Sequence, residues 1–312
     1  MFRATLAALV AAFFLSCSGP SPVAIPKAEF APAVRIAAAP EKTSGVPLTV
    51  ATWNVEGLDL GGDAPSGTYD GVALALKNAS VEIVAFEEIQ VADVPKLQAA
   101  LAKHGGDLPN FAISSQSDGY NSFAVASKHP IIEATEVVMP SSGKWPRSVY
   151  KVRVDAGRGL TLFVCHLKSG ADASSLAKRV SQAEAIGRYF TETYGSAIST
   201  ETLVLLGDMN TMSTGDREGA RATLPLLGLR TDGDSSNDFE SMTESLFAAS
   251  DSYTWEGSVS GVHTRSSLDH ILLSKGARAR YISGSLRIYR TDPSSTMTAN
   301  SDHYPVVLDI TP

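Results

Sequence analysis

The chain has 312 residues, 44% hydrophobic and 19% charged, which is ordinary globular usage with enough length for one large core. A formal net charge of −7 excludes a simple basic nucleic-acid-binding protein, and two cysteines are too few for a disulfide-built scaffold. No apolar run is long enough for a transmembrane helix.

Residues 1–16 carry Arg3 and then an uncharged apolar run, Leu6 to Leu15, too short to span a bilayer. With Ser16-Cys17 behind it, this stretch resembles a bacterial lipoprotein signal peptide. Cys17 would then be the lipidated first residue of the mature chain; an ordinary cleaved signal with an incidental cysteine is the alternative. Acylation of Cys17 would leave Cys165 without a disulfide partner. Residues 17–46 are rich in Pro, Ala and Ser, lack hydrophobic periodicity and read as a flexible tether. Residues 47–312 show no internal repeat and no second linker, and read as one domain.

Within that domain apolar, β-rich runs fall at 48–53, 81–86, 122–127, 147–154, 160–167, 202–206, 268–273 and 304–310. Helical spacing appears at 94–103 and at 176–190, where Leu176, Val180, Ala183, Ile186 and Phe190 share a face. Many short strands with few helices imply stacked sheets covered by helices. The loop 155–159 predicts an antiparallel hairpin of 147–154 with 160–167, which sets Arg147 near His166.

Six peptides place polar residues at strand ends: TWNVEG (52–57), FEEIQ (86–90), CHLKSG (165–170), GDMNT (207–211), SLDHIL (267–272) and SDHYPV (301–306). Asn54, Glu88 and Asp208 follow their strands, whereas Asp269 and Asp302 precede theirs, so a mixed sheet can bring them to one rim. Asn54, Glu88, Asp208, Asn210 and Asp302 are ligand types that suit Mg²⁺ or Mn²⁺. Such a cation polarises a phosphoryl oxygen. His303 can take a proton from water, with Asp269 to fix its tautomer, while His166 and Arg147 can donate to a phosphate.

These motifs resemble those of the endonuclease/exonuclease/phosphatase superfamily, the pancreatic-deoxyribonuclease-like fold, over about residues 48–312. The HLKSG stretch and the helix after it look most like secreted bacterial members. The resemblance implies a four-layer α/β sandwich, two packed mixed or antiparallel sheets flanked by helices, and makes 47–312 a catalytic domain. It implies that Asn54 and Glu88 bind metal and that Asp302 assists. Asp208 and Asn210 would position the nucleophile or contact phosphate. His303 would be the general base or a phosphate contact, with Asp269 orienting it. In place of the usual Leu-Gln-Glu the chain reads Phe86-Glu87-Glu88, so Glu87 competes with Glu88 as ligand.

Other residues read more plainly. Cys165 and His166 point to opposite faces of one strand, which disfavours a Cys–His nucleophile. His270 has the same relation to Asp269 and reads as a packed strand residue. The acidic run from Asp232 to Glu240 fails the EF-hand spacing and reads as a solvated loop. Residues 144–188 hold nine Lys and Arg, Arg179 among them, against three acids, either a face for a polyanion or solvated element faces. Lys168 is either a substrate phosphate contact or a solvated tip.

The expectation is a divalent-metal phosphodiesterase, a non-sequence-specific nuclease outside the cytoplasm, dependent on Mg²⁺ or Mn²⁺. It would be a monomer without a protein partner, held in the cell envelope only by a lipid on Cys17. A phospholipid or sphingolipid phosphodiesterase or a phosphomonoesterase of the same fold is the alternative. A surface-tethered binding module with a degenerate site is the non-enzymatic one.

Overall fold

Strand β1 (Leu48–Asn54) shows how the sequence makes layers. Leu48 and Val50 enter the core between two sheets, while Ala51 and Trp53 enter a second core on the opposite face. This is the two-residue period of a strand buried on both sides.

The chain continues through α1 (Gly67–Asn78), β2 (Ile83–Ile89), α2 (Val94–His104), β3 (Asn110–Ile113), β4 (Ser122–Ser127), β5 (Ile131–Val137) and β6 (Val149–Val154). It then forms β7 (Leu160–His166), α3 (Ala173–Thr193), β8 (Leu203–Asp208), α4 (Thr214–Arg217), α5 (Thr223–Leu227) and β9 (Glu240–Ser241). The last elements are β10 (Trp255–Val259), β11 (Val262–Ser266), β12 (Asp269–Leu273), α6 (Lys275–Arg278), β13 (Arg287–Ile288) and β14 (Val306–Ile310). This computed structural model describes residues 46–56, 58, 67–115, 122–137, 149–157, 159–219, 221–246, 252–259, 261–290 and 301–312. The expected signal peptide, Cys17, nearly all of the tether and Arg147 lie outside the described residues.

Two six-stranded sheets carry the fold, in the orders β13-β14-β1-β2-β4-β3 and β5-β6-β7-β8-β12-β9. Each is mixed: β1–β2 and β7–β8 pair in parallel, and the remaining neighbours pair antiparallel. One core fills the space between the sheets. A second lies under α1 and α2 with Trp53, Phe86 and Leu97, and a third under α3 and α5 with Phe163, Phe190 and Phe239. These four layers are the architecture the resemblance implied. Within the described residues the expected hairpin is present as β6–β7, with Tyr150 opposite Val164. No helix of the described residues is long and apolar enough to cross a membrane.

Several elements carried too little pattern to be read ahead. Helix α1 contains two glycines. Strands β3 and β5 are only partly buried. The hairpin β10–β11 belongs to neither main sheet and is mostly exposed. Without a core to face, its side chains show no apolar alternation.

The site follows from the rows of side chains that point between the sheets. On β1 the row runs Leu48, Val50, Thr52, Asn54; on β2, Ile83, Ala85, Glu87; on β7, Leu160, Leu162, Val164, His166. On β8 it runs Val204, Leu206, Asp208, and on β12, Leu273, Ile271, Asp269. Each buried Val, Leu or Ile contributes about 1.5–3 kcal/mol through area removed from water. At one end every row changes from apolar to polar.

Candidate active site

Asp208 occupies the middle of that polar end. It accepts from Asn54 Nδ2 at 3.0 Å and from the Asn210 backbone N–H at 2.9 Å. His166 Nε2 lies 3.4 Å and His303 Nε2 3.8 Å from its carboxylate. His303 Nδ1 bonds Asp269 Oδ2 at 2.8 Å, a contact that can fix the ring's tautomer. Asp269 itself is fixed by its backbone N–H, which donates to Thr254 Oγ1 at 3.0 Å.

Electrostatics split the two central groups. Burial raises the Asp208 carboxyl to about 7, with the nearby Asp269 adding to the rise and His303, the Asn210 N–H and Asn54 opposing it. Burial also opposes charge on His303, but Asp269, its hydrogen bond, Asp208 and Asp302 outweigh that and raise the imidazole to about 10.

Glu88 reaches the same cluster by a local irregularity. The β2–β4 register shifts between Phe86 and Ile89, and Glu88 has φ +57°. In a regular strand Glu87 and Glu88 would face opposite sides. The shift turns Glu88 to the rim, with Oε1 3.6 Å from His166 Nδ1 and 3.3 Å from Asn54 Nδ2. Glu87 keeps the regular inward direction, is fully buried and accepts from Thr52 Oγ1 at 2.8 Å. Burial, then Asp269, raises its carboxyl well above the usual range, which favours the neutral acid. Glu88 is therefore the carboxylate at the opening and Glu87 an acid beneath it. His166 lies against both Glu88 and Asp208.

Asp302 accepts the Trp255 indole N–H and lies 3.7 Å from His303 Nε2. Asn54 Oδ1 accepts the Glu56 backbone N–H at 2.9 Å and retains a second lone pair. Asn210 has φ +50° and donates from Nδ2 to Leu167 O at 3.1 Å, which ties it to the strand end that bears His166. Gly207 explains the close approach of β7 and β8. Its φ is +137°, and a Cβ there would lie 1.9 Å from Cys165 O. Cys165 itself packs into the core under α3, on the face away from the site, as expected.

Glu56 was not expected in the site, although TWNVEG contains it. Its carboxyl is raised to about 7 by burial, then by Asp302, with Glu88 adding to the rise. The signal is not periodic: φ +43° at Glu56 turns the chain back toward Asp302.

Among the described residues of the basic region at 144–188, Lys151, Arg153 and Arg179 do not lie at the rim. Arg179 is fully buried and donates in a fork to Asp216 at 2.7 and 2.9 Å, and to Lys168 O and Gly170 O. It is a structural pair that holds the loop after β7. Lys151 and Arg153 alternate with the core residues Tyr150, Val152 and Val154, so they point outward, and Lys151 pairs with Glu133. Lys168 is half-buried, its backbone N–H donating to Gln182. His270 is packed as expected, between Thr211 and Thr243. In the acidic run Asp232 and Asp234 are exposed and accept from loop backbone N–H groups.

The donor set fits a hard divalent cation. Asp208, Asp269 and His303 each offer an atom within 4.8 Å of the others. The Oδ1 atoms of Asp269 and Asp302 are buried and accept no hydrogen bond among the described residues. Buried carboxylates, two imidazoles and an amide at the mouth of a two-sheet sandwich define a metal-dependent phosphoesterase. The chain belongs to the endonuclease/exonuclease/phosphatase family, whose model matches residues 51–294. Its fold is similar to D. rerio TDP2 complexed with single-strand DNA product, at 18% identity and TM-score 0.60, covering 84% of this chain and 98% of that one. It is also similar to the 3′ phosphatase NExo from Neisseria bound to a product DNA hairpin, at 19% identity and TM-score 0.56, covering 84% and 99%. A third is an AP endonuclease from Archaeoglobus fulgidus, at 17% identity and TM-score 0.58, covering 84% and 99%. No curated protein matches the sequence to a significant degree.

Proposed function

We propose that this phosphoesterase cleaves phosphodiester bonds of nucleic acid, without sequence specificity, using Mg²⁺ or Mn²⁺. The observation that carries the reading is the convergence of Asp208, Glu88, Asp302, His166 and the His303–Asp269 pair at one end of the inter-sheet core. Glu88 and Asp302, with the free lone pair of Asn54 Oδ1, would hold the cation. When bound it supplies charge to polarise the phosphoryl oxygen.

The remaining chemistry belongs to this chain. His303, held as imidazolium in the metal-free protein, suits donation to a phosphate oxygen, with His166 as a second donor. Asp208, between the two imidazoles, orients the attacking water and accepts its proton. Asn210 fixes Asp208 through its backbone N–H. Lys168 would reach substrate from the rim, and Arg147, which the sequence sets near His166, would contact its phosphate.

Nucleic acid is favoured because two of the similar folds hold DNA in their own structures. One observation favours a phospholipid or sphingolipid diester instead. The β10–β11 hairpin beside Asp302 exposes Val259 by 51% and Val262 by 65%. Release of product from DNA, RNA, sphingomyelin and bis(p-nitrophenyl) phosphate, each with Mg²⁺, Mn²⁺ or chelator, separates the two. Turnover of sphingomyelin with DNA left intact would reject the nuclease. We also propose export and an acyl anchor on Cys17; palmitate incorporation lost in Cys17→Ser would test this.

A further inference from the structure

His270 neighbours Asp269 on β12, but its ring lies on the other face of the strand, away from substrate. Its Nε2 is 2.6 Å from Thr211 Oγ1 and its Nδ1 is 2.5 Å from Thr243 Oγ1. All three side chains are buried. Thr211 Oγ1 donates its single proton to Ser267 O at 2.8 Å, so it can only accept from the ring. The imidazole then carries its proton on Nε2 and accepts on Nδ1 from Thr243. A neutral ring satisfies every partner in the chain, and no group in it faces the reacting atoms.

The far end of this chain is Thr211, the residue after Asn210. Asn210 has φ +50°, a left-handed conformation that Asn adopts more readily than most side-chain-bearing residues but that is still costlier than the right-handed one and is kept by the contacts around it. Its own ties are the N–H to Asp208, the amide to Leu167 O and the carbonyl, which accepts the Met212 N–H at 2.9 Å. Thr211 is pinned on three sides: by His270, by Ser267 O, and at its own carbonyl by Arg217 at 3.0 Å. We propose that Thr243, His270 and Thr211 form a positioning relay that holds Asn210 in its left-handed conformation and so aims the Asp208 carboxylate. The relay is buried behind the site and acts through Asn210, not on substrate. This rests on the phosphoesterase reading above.

The test is steady-state hydrolysis of bis(p-nitrophenyl) phosphate at saturating Mn²⁺, at temperatures where thermal scans show each variant folded. Thr211→Val is isosteric and removes the hydroxyl. It should lower kcat about ten- to a hundredfold, the effect of a misplacement of about 1 Å, with KM nearly unchanged. Thr211→Ser keeps the hydroxyl and should restore kcat to near the parent value. On an Asn210→Ala background, which loses the tie to Leu167 O and disfavours the left-handed conformation that aims the backbone N–H, Thr211→Val should cost less than about twofold, because the conformation it holds is already released. If Thr211→Val does not fold, Thr243→Val breaks the same chain at its distant end and should show the same dependence on Asn210. A Thr211→Val enzyme with parental kcat, or one whose loss multiplies in full with that of Asn210→Ala, overturns the relay. Parental kcat in Asn210→Ala also overturns it, because the left-handed conformation that the relay holds would then not matter to turnover; loss of activity in His303→Ala then still upholds the phosphoesterase reading.

Discussion

Two buried histidines, His303 and His270, lie within one small volume of the protein and behave in opposite ways. Both are buried, and burial alone lowers both. His303 faces Asp269, Asp208 and Asp302 and is raised to about 10; His270 faces two threonine hydroxyls and is lowered to about 3. Depth sets the cost of a charge, and the neighbours determine whether it is met. One strand, β12, serves both environments: Asp269 on one face supplies the carboxylate for His303, and His270 on the other takes part in a neutral chain.

The strongest way to break the comparison is at the charged centre. His303→Ala should lower kcat by about 10²- to 10³-fold, the usual cost of removing one donor aimed at charge that develops in the transition state. Because Asp269 acts through His303, adding Asp269→Asn should cost little more. A double variant whose loss is the product of both single losses would show independent roles.

The two adjacent glutamates sharpen the same contrast between a charged opening and a neutral interior. Glu88→Gln should weaken metal affinity by about 10–100-fold and be partly rescued by excess Mn²⁺. Glu87→Gln preserves the shape of a carboxyl that burial pushes toward its neutral form and should leave metal affinity nearly unchanged. Titration of Mn²⁺ into each variant by calorimetry checks this, and the reverse ranking would exchange their roles.

A pH series on the metal-free protein tests both histidines at once. The folded pKa of His303 is raised, so its stabilising contribution is full below about 6.5 and is lost as pH climbs through about 10. That of His270 is lowered, so folding gains from it above about 6.5 and loses as pH falls toward about 3. Tm should therefore decline on both sides, by roughly 2–4 °C per kcal/mol involved. His303→Asn should flatten the alkaline side only and His270→Gln the acid side only; flattening of the wrong side would refute the assignment.

Smallest in activity are two basic residues, one buried in an ion pair and one half-buried in the loop after β7. Arg179→Met breaks a buried ion pair and should cost about 3–5 kcal/mol of stability with little change in KM. Lys168→Ala should leave stability unchanged, raise KM for DNA a few-fold and reduce the slope of log affinity against log salt by about one. Equal salt slopes for Lys168→Ala and the parent would place its ammonium off the substrate path.

The sequence by itself determined which residues line up. Alternation in β1, β7, β8 and β12 carries apolar side chains up to Asn54, His166, Asp208 and Asp269, and the same alternation turns Cys165 and His270 away from the site. A two-residue period is a local property of the backbone, so it can be read from local sequence. What lies opposite each residue is not local. The bulge that brings Glu88 beside Glu87's row, the return of Glu56 to Asp302 and the burial of Arg179 on Asp216 depend on elements far apart in the chain. The charges of His303 and His270 belong to the same group. Their ionisation depends on carboxylates and hydroxyls gathered from β8, β12 and the loops around them, and only the packing of the two sheets brings those groups within a few ångströms.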